Sequence, residues 1–239
     1  MNGVERRCWA VVPAAGIGSR METQTPKQYL QVAGATLLEH SIGVLLGSSD
    51  IAGVIVALHP EDRLAPSLAI LNDARVQQVI GAQVRAGSVL AALDALAQQV
   101  SEEDWVLVHD AARPCLRSED LGRLIAQVIA TDCGGLLAEP VVDTVKQASQ
   151  EGRVIATLDR SDLWRAQTPQ MFRLGELRAA LRSALSSGEA ITDEASAMER
   201  AGHSVQLVSG CASNLKVTVP ADLPLAAWYL KQQEQQTGA

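Results

Sequence analysis

The chain has no CxxC pair, no membrane-length apolar run, no internal repeat, no low-complexity tract and no excess of positive charge. Each gap closes off a class of answer. The four cysteines stand far apart, at 8, 115, 133 and 211, so neither a disulfide framework nor a zinc site is indicated, and they read as reduced thiols. The early apolar stretch, residues 8–15, falls well short of the roughly 20 residues that cross a bilayer. Glu5-Arg6-Arg7 ahead of it are not followed by a signal-peptide core of adequate length, so no membrane association is expected and the location reads as cytoplasmic. A formal charge of -7 argues against a nucleic-acid partner, because phosphate backbones are bound by broad basic surfaces. Any anionic ligand must therefore be small and met by local positive charge.

What is present suits one ordinary domain: 239 residues, 47% hydrophobic. Apolar, β-branched runs at 8–12, 53–58, 75–80 and 105–108 read as buried strands. Helical patterns at 36–46, 88–100 and 118–130 lie between and after them. The first carries Thr36 and Glu39 at capping-box spacing and Gly47 as a stop. Alternation of this kind up to about residue 138 predicts an α/β fold, a Rossmann-like, mostly parallel sheet with helices on both faces. Ligands of such sheets sit at the carboxyl ends of the strands. Two segments break the rhythm. Residues 13–35 make an overlong connection, and 139–168 hold two β-like runs around Gln150-Glu151-Gly152, a hairpin projecting from the body. Beyond come helices near 174–186 and 193–201, the latter with Thr192 as N-cap, a strand at 204–208, the string NLKVTVP with Lys216 on an apolar strand, and a last helix begun by Pro220.

The string VPAAGIGSRM at 12–21 follows the first strand with little side-chain bulk. Small residues let backbone N–H groups approach an anion, so the loop reads as a phosphate cradle, although from spacing alone Gly16 and Gly18 serve an ordinary turn equally well. It is not the dinucleotide fingerprint, because Met21 stands where the third glycine belongs, and no GxxxxGK string occurs. Arg20 and Lys27 on the same connection suit a triphosphate whose charge rises at the reacting phosphorus.

Beyond the loop, PKQYL at 26–30, RAGSV at 85–89, VLVHDAARPC at 106–115, DTVK at 143–146, LDR at 158–160, LWRAQTPQ at 163–170, TDEASAME at 192–199 and NLKVT at 214–218 run in order along nearly the whole chain. With these strings the sequence resembles the 2-C-methyl-D-erythritol 4-phosphate cytidylyltransferase family of the non-mevalonate isoprenoid pathway. The resemblance implies a single domain over 1–239 with 139–168 as a β-arm, Mg²⁺ as cofactor, and transfer of the cytidylyl group of CTP to methylerythritol phosphate. It implies that Ala14, Ala15, Gly16 and Gly18 cradle the triphosphate and that Arg20, Lys27 and Lys216 are catalytic. It also implies that Gly81, Arg85, Ser88 and Asp110 complete the CTP site, with Asp110 facing the metal. Thr144, Arg160, Arg113 and Thr192 fall on the substrate-phosphate side, the first two reaching a partner's site on an arm exchanged in a homodimer. A cytidylyltransferase for a related pentitol phosphate, such as ribitol 5-phosphate, would share the nucleotide half. The sequence departs from the family pattern at Ala82 and Gln83, where a glycine and an acid are usual, and at Ser19.

Plain structural roles stand beside these. Ser88 suits an N-cap, Asp110 a partner for Arg113, Lys216 a surface lysine, and Thr192, Asp193 and Glu194 ordinary helix capping. His109 and Cys115 read as structural.

Overall fold

The computed structural model describes residues 8–16, 25–188 and 190–237. The elements in chain order are β1 (Cys8–Pro13), β2 (Gln31–Val32), β3 (Ala35–Thr36), α1 (Leu37–Leu46), β4 (Ile51–Leu58), β5 (Val76–Ile80), α2 (Arg85–Leu96), β6 (Trp105–Val108), α3 (Ser118–Thr131), β7 (Gly135–Pro140), β8 (Val145–Ala148), β9 (Val154–Leu158), β10 (Trp164–Arg173), α4 (Leu174–Ser186), α5 (Glu194–Arg200), β11 (Gln206–Ser209) and α6 (Asp222–Thr237). Among the described residues seven strands form the central sheet in the order β11-β7-β10-β6-β1-β4-β5. All neighbours pair in parallel except β10, which runs antiparallel to both β6 and β7.

Strand alternation divides the core. Ala10, Val12, Val54, Val56 and Leu107 face α1 and α3, whose Leu38, Ile42, Leu45, Leu121 and Leu124 complete that layer. Val11, Ile55, Val106, Val108 and Phe172 face α2, α4 and α5, meeting Val89, Leu93, Leu96, Leu177, Leu181 and Met198. The period of two thus sends successive side chains into different layers, and both faces are dry, as a parallel sheet requires. A third cluster seats α6, through Ala226 and Leu230, on Val32, Leu37, Cys115 and Val217.

The capping box of α1 forms as its spacing predicts: the Thr36 hydroxyl accepts from the Glu39 amide at 3.1 Å while Glu39 accepts from the Thr36 amide at 2.8 Å. Gly47 stops the helix in ordinary right-handed geometry. The described part of the long connection after β1 holds a 3-10 turn at Lys27–Tyr29 and the β2–β3 hairpin, whose two turn residues, Ala33 (φ 46°) and Gly34 (φ 87°), both take the left-handed conformation of a tight hairpin turn. The expected second hairpin is β8–β9, turned by Gly152 at φ 78°. It leaves Val142, Val154 and Ile155 between 62% and 70% exposed.

Four expectations are corrected. α2 begins at Arg85, so Ser88 lies within its first turn and Val84 is the cap. Asp193, not Thr192, caps α5: its carboxylate takes the Ser196 amide at 3.0 Å, a stronger acceptor than a threonine hydroxyl one residue too early. Lys216 sits in a coil rather than a strand: the Val217 amide bonds to the Ala112 carbonyl at 2.8 Å, but the segment joins no sheet among the described residues. The last helix starts at Asp222, whose side chain takes the amides of Thr218 and Val219, rather than at Pro220.

Candidate active site

Five chain segments meet at the carboxyl edge of the sheet: the end of β1, the turn at Lys27 and Gln28, the β5–α2 loop, the end of β6, and the coil before α6. They enclose a cleft of about 310 Å³, within the size range of small-ligand sites. Its floor is backbone. Ala14 donates to the Ala57 carbonyl at 2.8 Å, continuing the ladder one residue past β1, and the buried Gln28 amide group donates to the Ala14 carbonyl at 2.7 Å. The start of the loop, at Ala14, therefore has a fixed base. Gly81 packs directly behind it. A Cβ there would lie 2.5 Å from the Ala15 Cβ and 2.9 Å from the Ser88 Oγ, so only glycine lets the β5–α2 loop approach the β1 loop this closely. Ser88 Oγ stitches the same loop, accepting from the Ala82 amide at 2.9 Å and lying 3.0 Å from the Ala82 carbonyl. Ala82 has no left-handed φ, so a side chain at this departure from the family pattern carries no backbone strain.

The cleft wall is a chain of charges. Asp110 follows β6 and is nearly buried. Its Oδ1 accepts Arg85 Nε at 2.9 Å, its Oδ2 lies 2.7 Å from Lys216 Nζ, and Arg113 Nε stands at 3.9 Å. Burial alone would raise the Asp110 carboxyl; Arg85, Lys216 and Arg113 outweigh it and hold the group far below the usual carboxylate range. Arg85 gives its remaining fork to Glu194, which is fully buried and accepts Nη1 at 2.6 Å and Nη2 at 3.0 Å. Burial opposes the Arg85 charge, yet the carboxylates of Glu194 and Asp110 raise its pKa further.

His109 stands behind this wall with no exposure. The Asp110 amide donates to Thr168 Oγ1 at 3.0 Å, Thr168 Oγ1 meets His109 Nδ1 at 3.0 Å, and His109 Nε2 meets the Arg113 carbonyl at 3.1 Å. Since a carbonyl only accepts, Nε2 carries the proton and Nδ1 takes the threonine hydroxyl. Burial pushes His109 down to about 4, so the ring is a neutral strut at ordinary pH, matching its structural reading. Cys115, buried and pushed up to about 12 by desolvation, is likewise packing.

Of the residues singled out in the sequence, Ala14, Ala15, Gly16, Lys27, Arg85, Ser88, Asp110 and Lys216 line this one cleft, with Gly81 behind it. Gly18 and Arg20 lie outside the described residues. The remaining four stand apart from the lining. Thr144, Arg160 and Thr192 are exposed, Arg160 donating to the Val142 carbonyl on the arm. Arg113 gives Nη1 to the Asn214 carbonyl at 2.6 Å and Nη2 to the Ala166 carbonyl at 3.3 Å; the Asn214 contact braces the coil that carries Lys216. Sequence reasoning treated Glu194 as a capping acid and passed over Gln28 and Thr168. The one signal for Glu194 was redundancy: two acids open α5 and one suffices to cap it.

The sequence model of the 2-C-methyl-D-erythritol 4-phosphate cytidylyltransferase family matches residues 8–232. The chain belongs to that family. Relatives bearing the family name include one from Ectopseudomonas mendocina (strain ymp), 55% identical over 221 residues and covering 92% of this chain and 93% of its own. Another, from Aeromonas hydrophila, is 54% identical over 224 residues, covering 94% and 90%. Among solved structures, a 4-diphosphocytidyl-2C-methyl-D-erythritol synthase superposes with a TM-score of 0.82 at 39% identity, covering 94% of this chain and 99% of that one. The cytidylyltransferase of Thermus thermophilus gives 0.77 at 31%, covering 94% and 99%. For the family's nucleotide chemistry, among the described residues Asp110 is the one carboxylate in the cleft lining and no cluster of three metal-type ligands exists. This donor set fits a magnesium ion that arrives on a triphosphate and keeps its waters, and does not fit an all-protein cage.

Proposed function

We propose that the protein transfers the cytidylyl group of CTP to 2-C-methyl-D-erythritol 4-phosphate, releasing pyrophosphate and forming 4-diphosphocytidyl-2-C-methyl-D-erythritol. The carrying observation is the cleft itself: a bare backbone floor at Ala14–Gly16 flanked by Lys27, Arg85 and Lys216 at the carboxyl edge of a parallel sheet. A phosphate oxygen of the substrate attacks the α-phosphorus of CTP in line with the leaving pyrophosphate; one P–O bond forms and one breaks, and no protein nucleophile is needed. The physical difficulty is bringing two anions together. Lys27 and Lys216, with Arg20, offset that repulsion and the charge that builds at the α-phosphate, while the loop amides orient the triphosphate. Asp110 would hold a magnesium ion carried in on the triphosphate, and the chemistry that ion would supply is neutralisation of phosphate charge. The β5–α2 loop, with Gly81, Ala82, Gln83 and Ser88, reads the base through backbone groups.

The acceptor side is completed in a homodimer whose β8–β9 arm is exchanged, Thr144 and Arg160 gripping the substrate phosphate in the partner's site. Its exposed Val154 and Ile155 give the arm a reason to dock, because an isolated hairpin is marginally stable in water. Arg113 and Thr192 serve that side as supports. The protein acts in the cytoplasm. Pyrophosphate release measured with methylerythritol phosphate and each of the four nucleoside triphosphates tests the reading. CTP alone should support turnover, and ribitol 5-phosphate should replace the acceptor poorly; equal rates with all four nucleotides, or none with CTP, would refute it.

A further inference from the structure

Glu194 does not itself line the cleft, yet among the described residues it is the one side chain that takes both terminal nitrogens of Arg85, which does. Without it, that planar fork would be free to do one of two things. It could take both oxygens of Asp110, the bidentate geometry guanidinium and carboxylate prefer, and displace Lys216 from Oδ2. Alternatively it could turn into the cleft and hold a phosphate where no reaction occurs. With Glu194 in place the fork is filled and Asp110 receives Nε only, which leaves Oδ2 for Lys216 at 2.7 Å. Glu194 is itself fixed from β10: Gln170 Oε1 accepts the Ala195 amide at 2.8 Å and Gln170 Nε2 donates to Asp193 at 2.9 Å.

We propose that Glu194 is a positioning residue: by occupying the fork of Arg85 it divides the two oxygens of Asp110 between Arg85 and Lys216, and so sets where the Lys216 ammonium stands. The inference rests on the cytidylyl-transfer reading, since it concerns the same cleft. Its signature is energetic coupling that runs through Arg85.

The test measures kcat and KM for CTP, per folded molecule, in the unaltered enzyme, Glu194→Gln, Arg85→Gln and the double variant. Glu194→Gln should lower kcat/KM for CTP about tenfold, a fold-change in the middle of the range for residues in contact. The double variant should match Arg85→Gln within about twofold, because the role of Glu194 ends once the fork is gone. Effects that multiply in the double variant would overturn the proposal, as would a Glu194→Gln enzyme with kcat and KM both unchanged. Should Glu194→Gln fail to fold, Glu194→Asp keeps the charge but shortens the reach. A raised KM for CTP or a lowered kcat in that variant supports the proposal, whereas a lower melting temperature with both constants unchanged refutes it. An unaltered enzyme silent with CTP would instead remove the functional reading beneath.

Discussion

Replacing Gly81 with alanine puts a methyl group into space already filled. The added carbon would stand 2.5 Å from the Ala15 Cβ, 2.9 Å from the Ser88 Oγ and 3.3 Å from the Leu58 carbonyl. None of these can yield alone. Leu58 is bonded to the Gly81 amide at 2.7 Å, Ala15 sits in the loop pinned by Gln28, and Ser88 is stitched to Ala82. Restoring ordinary contact needs a shift of about an ångström between the β1 loop and the β5–α2 loop, and overpacking of this kind costs roughly 1–3 kcal/mol. For a chain of this size that is a fall of about 4–8 °C in melting temperature at the midpoint of the range. The shift also opens the CTP floor, so KM for CTP should rise several-fold while KM for the acceptor stays put. Gly16→Ala supplies the contrast. Among the described residues no atom lies within 4 Å of its added carbon, and its φ is not left-handed, so the free protein should melt as before, yet a triphosphate against that backbone would meet the methyl and bind weakly. Thermal melts and CTP kinetics on both variants decide the matter. A Gly81→Ala enzyme with unchanged melting and unchanged KM would refute the close-approach argument.

Two further outcomes are expected. His109 has its folded pKa lowered to about 4, so the neutral ring is favoured in the fold; its contribution is complete above the unfolded value near 6.5 and drains away as pH falls from there toward 4. Roughly 3 kcal/mol of stability should vanish over that window, and His109→Gln should flatten the curve of melting temperature against pH between 7 and 4.5; a parallel curve would refute the assignment. For the exchanged arm, mixing Arg160→Ala with Lys27→Ala proteins should recover roughly a quarter of full activity, since half of randomly formed dimers are hybrids with one intact site. Confirmed hybrids without activity would exclude a shared site.

Local signals carried much of the fold. Leu174–Ser186 follows its sequence pattern and Thr36 with Glu39 makes its box, because each is settled by contacts a few residues apart, while Trp105–Val108 is legible from its unbroken apolar run although its partners are distant. Where the outcome depended on distant partners, the pattern misled. β10, WRAQTPQMFR, mixes polar and apolar residues around a proline and does not read as a strand; its place between β6 and β7, antiparallel to both, is set by those distant partners. NLKVT has strand composition but finds no edge to pair with. Within the site, the glycine loop stands out by its lack of side-chain bulk, yet spacing alone suits an ordinary turn equally well, and Gly81, Ser88, Asp110 and Lys216 are picked out only by the family resemblance. The bond between Glu194 and Arg85 spans 109 positions, and nothing local announces it.

Trp164 and Pro140 are register partners in adjacent strands, so the chain leaves the sheet and returns to it at a single point. Everything from 141 to 163 is thus a detour whose two ends already touch, and lengthening or rebuilding it asks of the body only the slowly growing entropy of a larger loop. The detour can consequently be redrafted while the sheet and the cleft at its carboxyl edge stay as they are; under the function proposed above, that separates the phosphate grip of Thr144 and Arg160 from the nucleotide half.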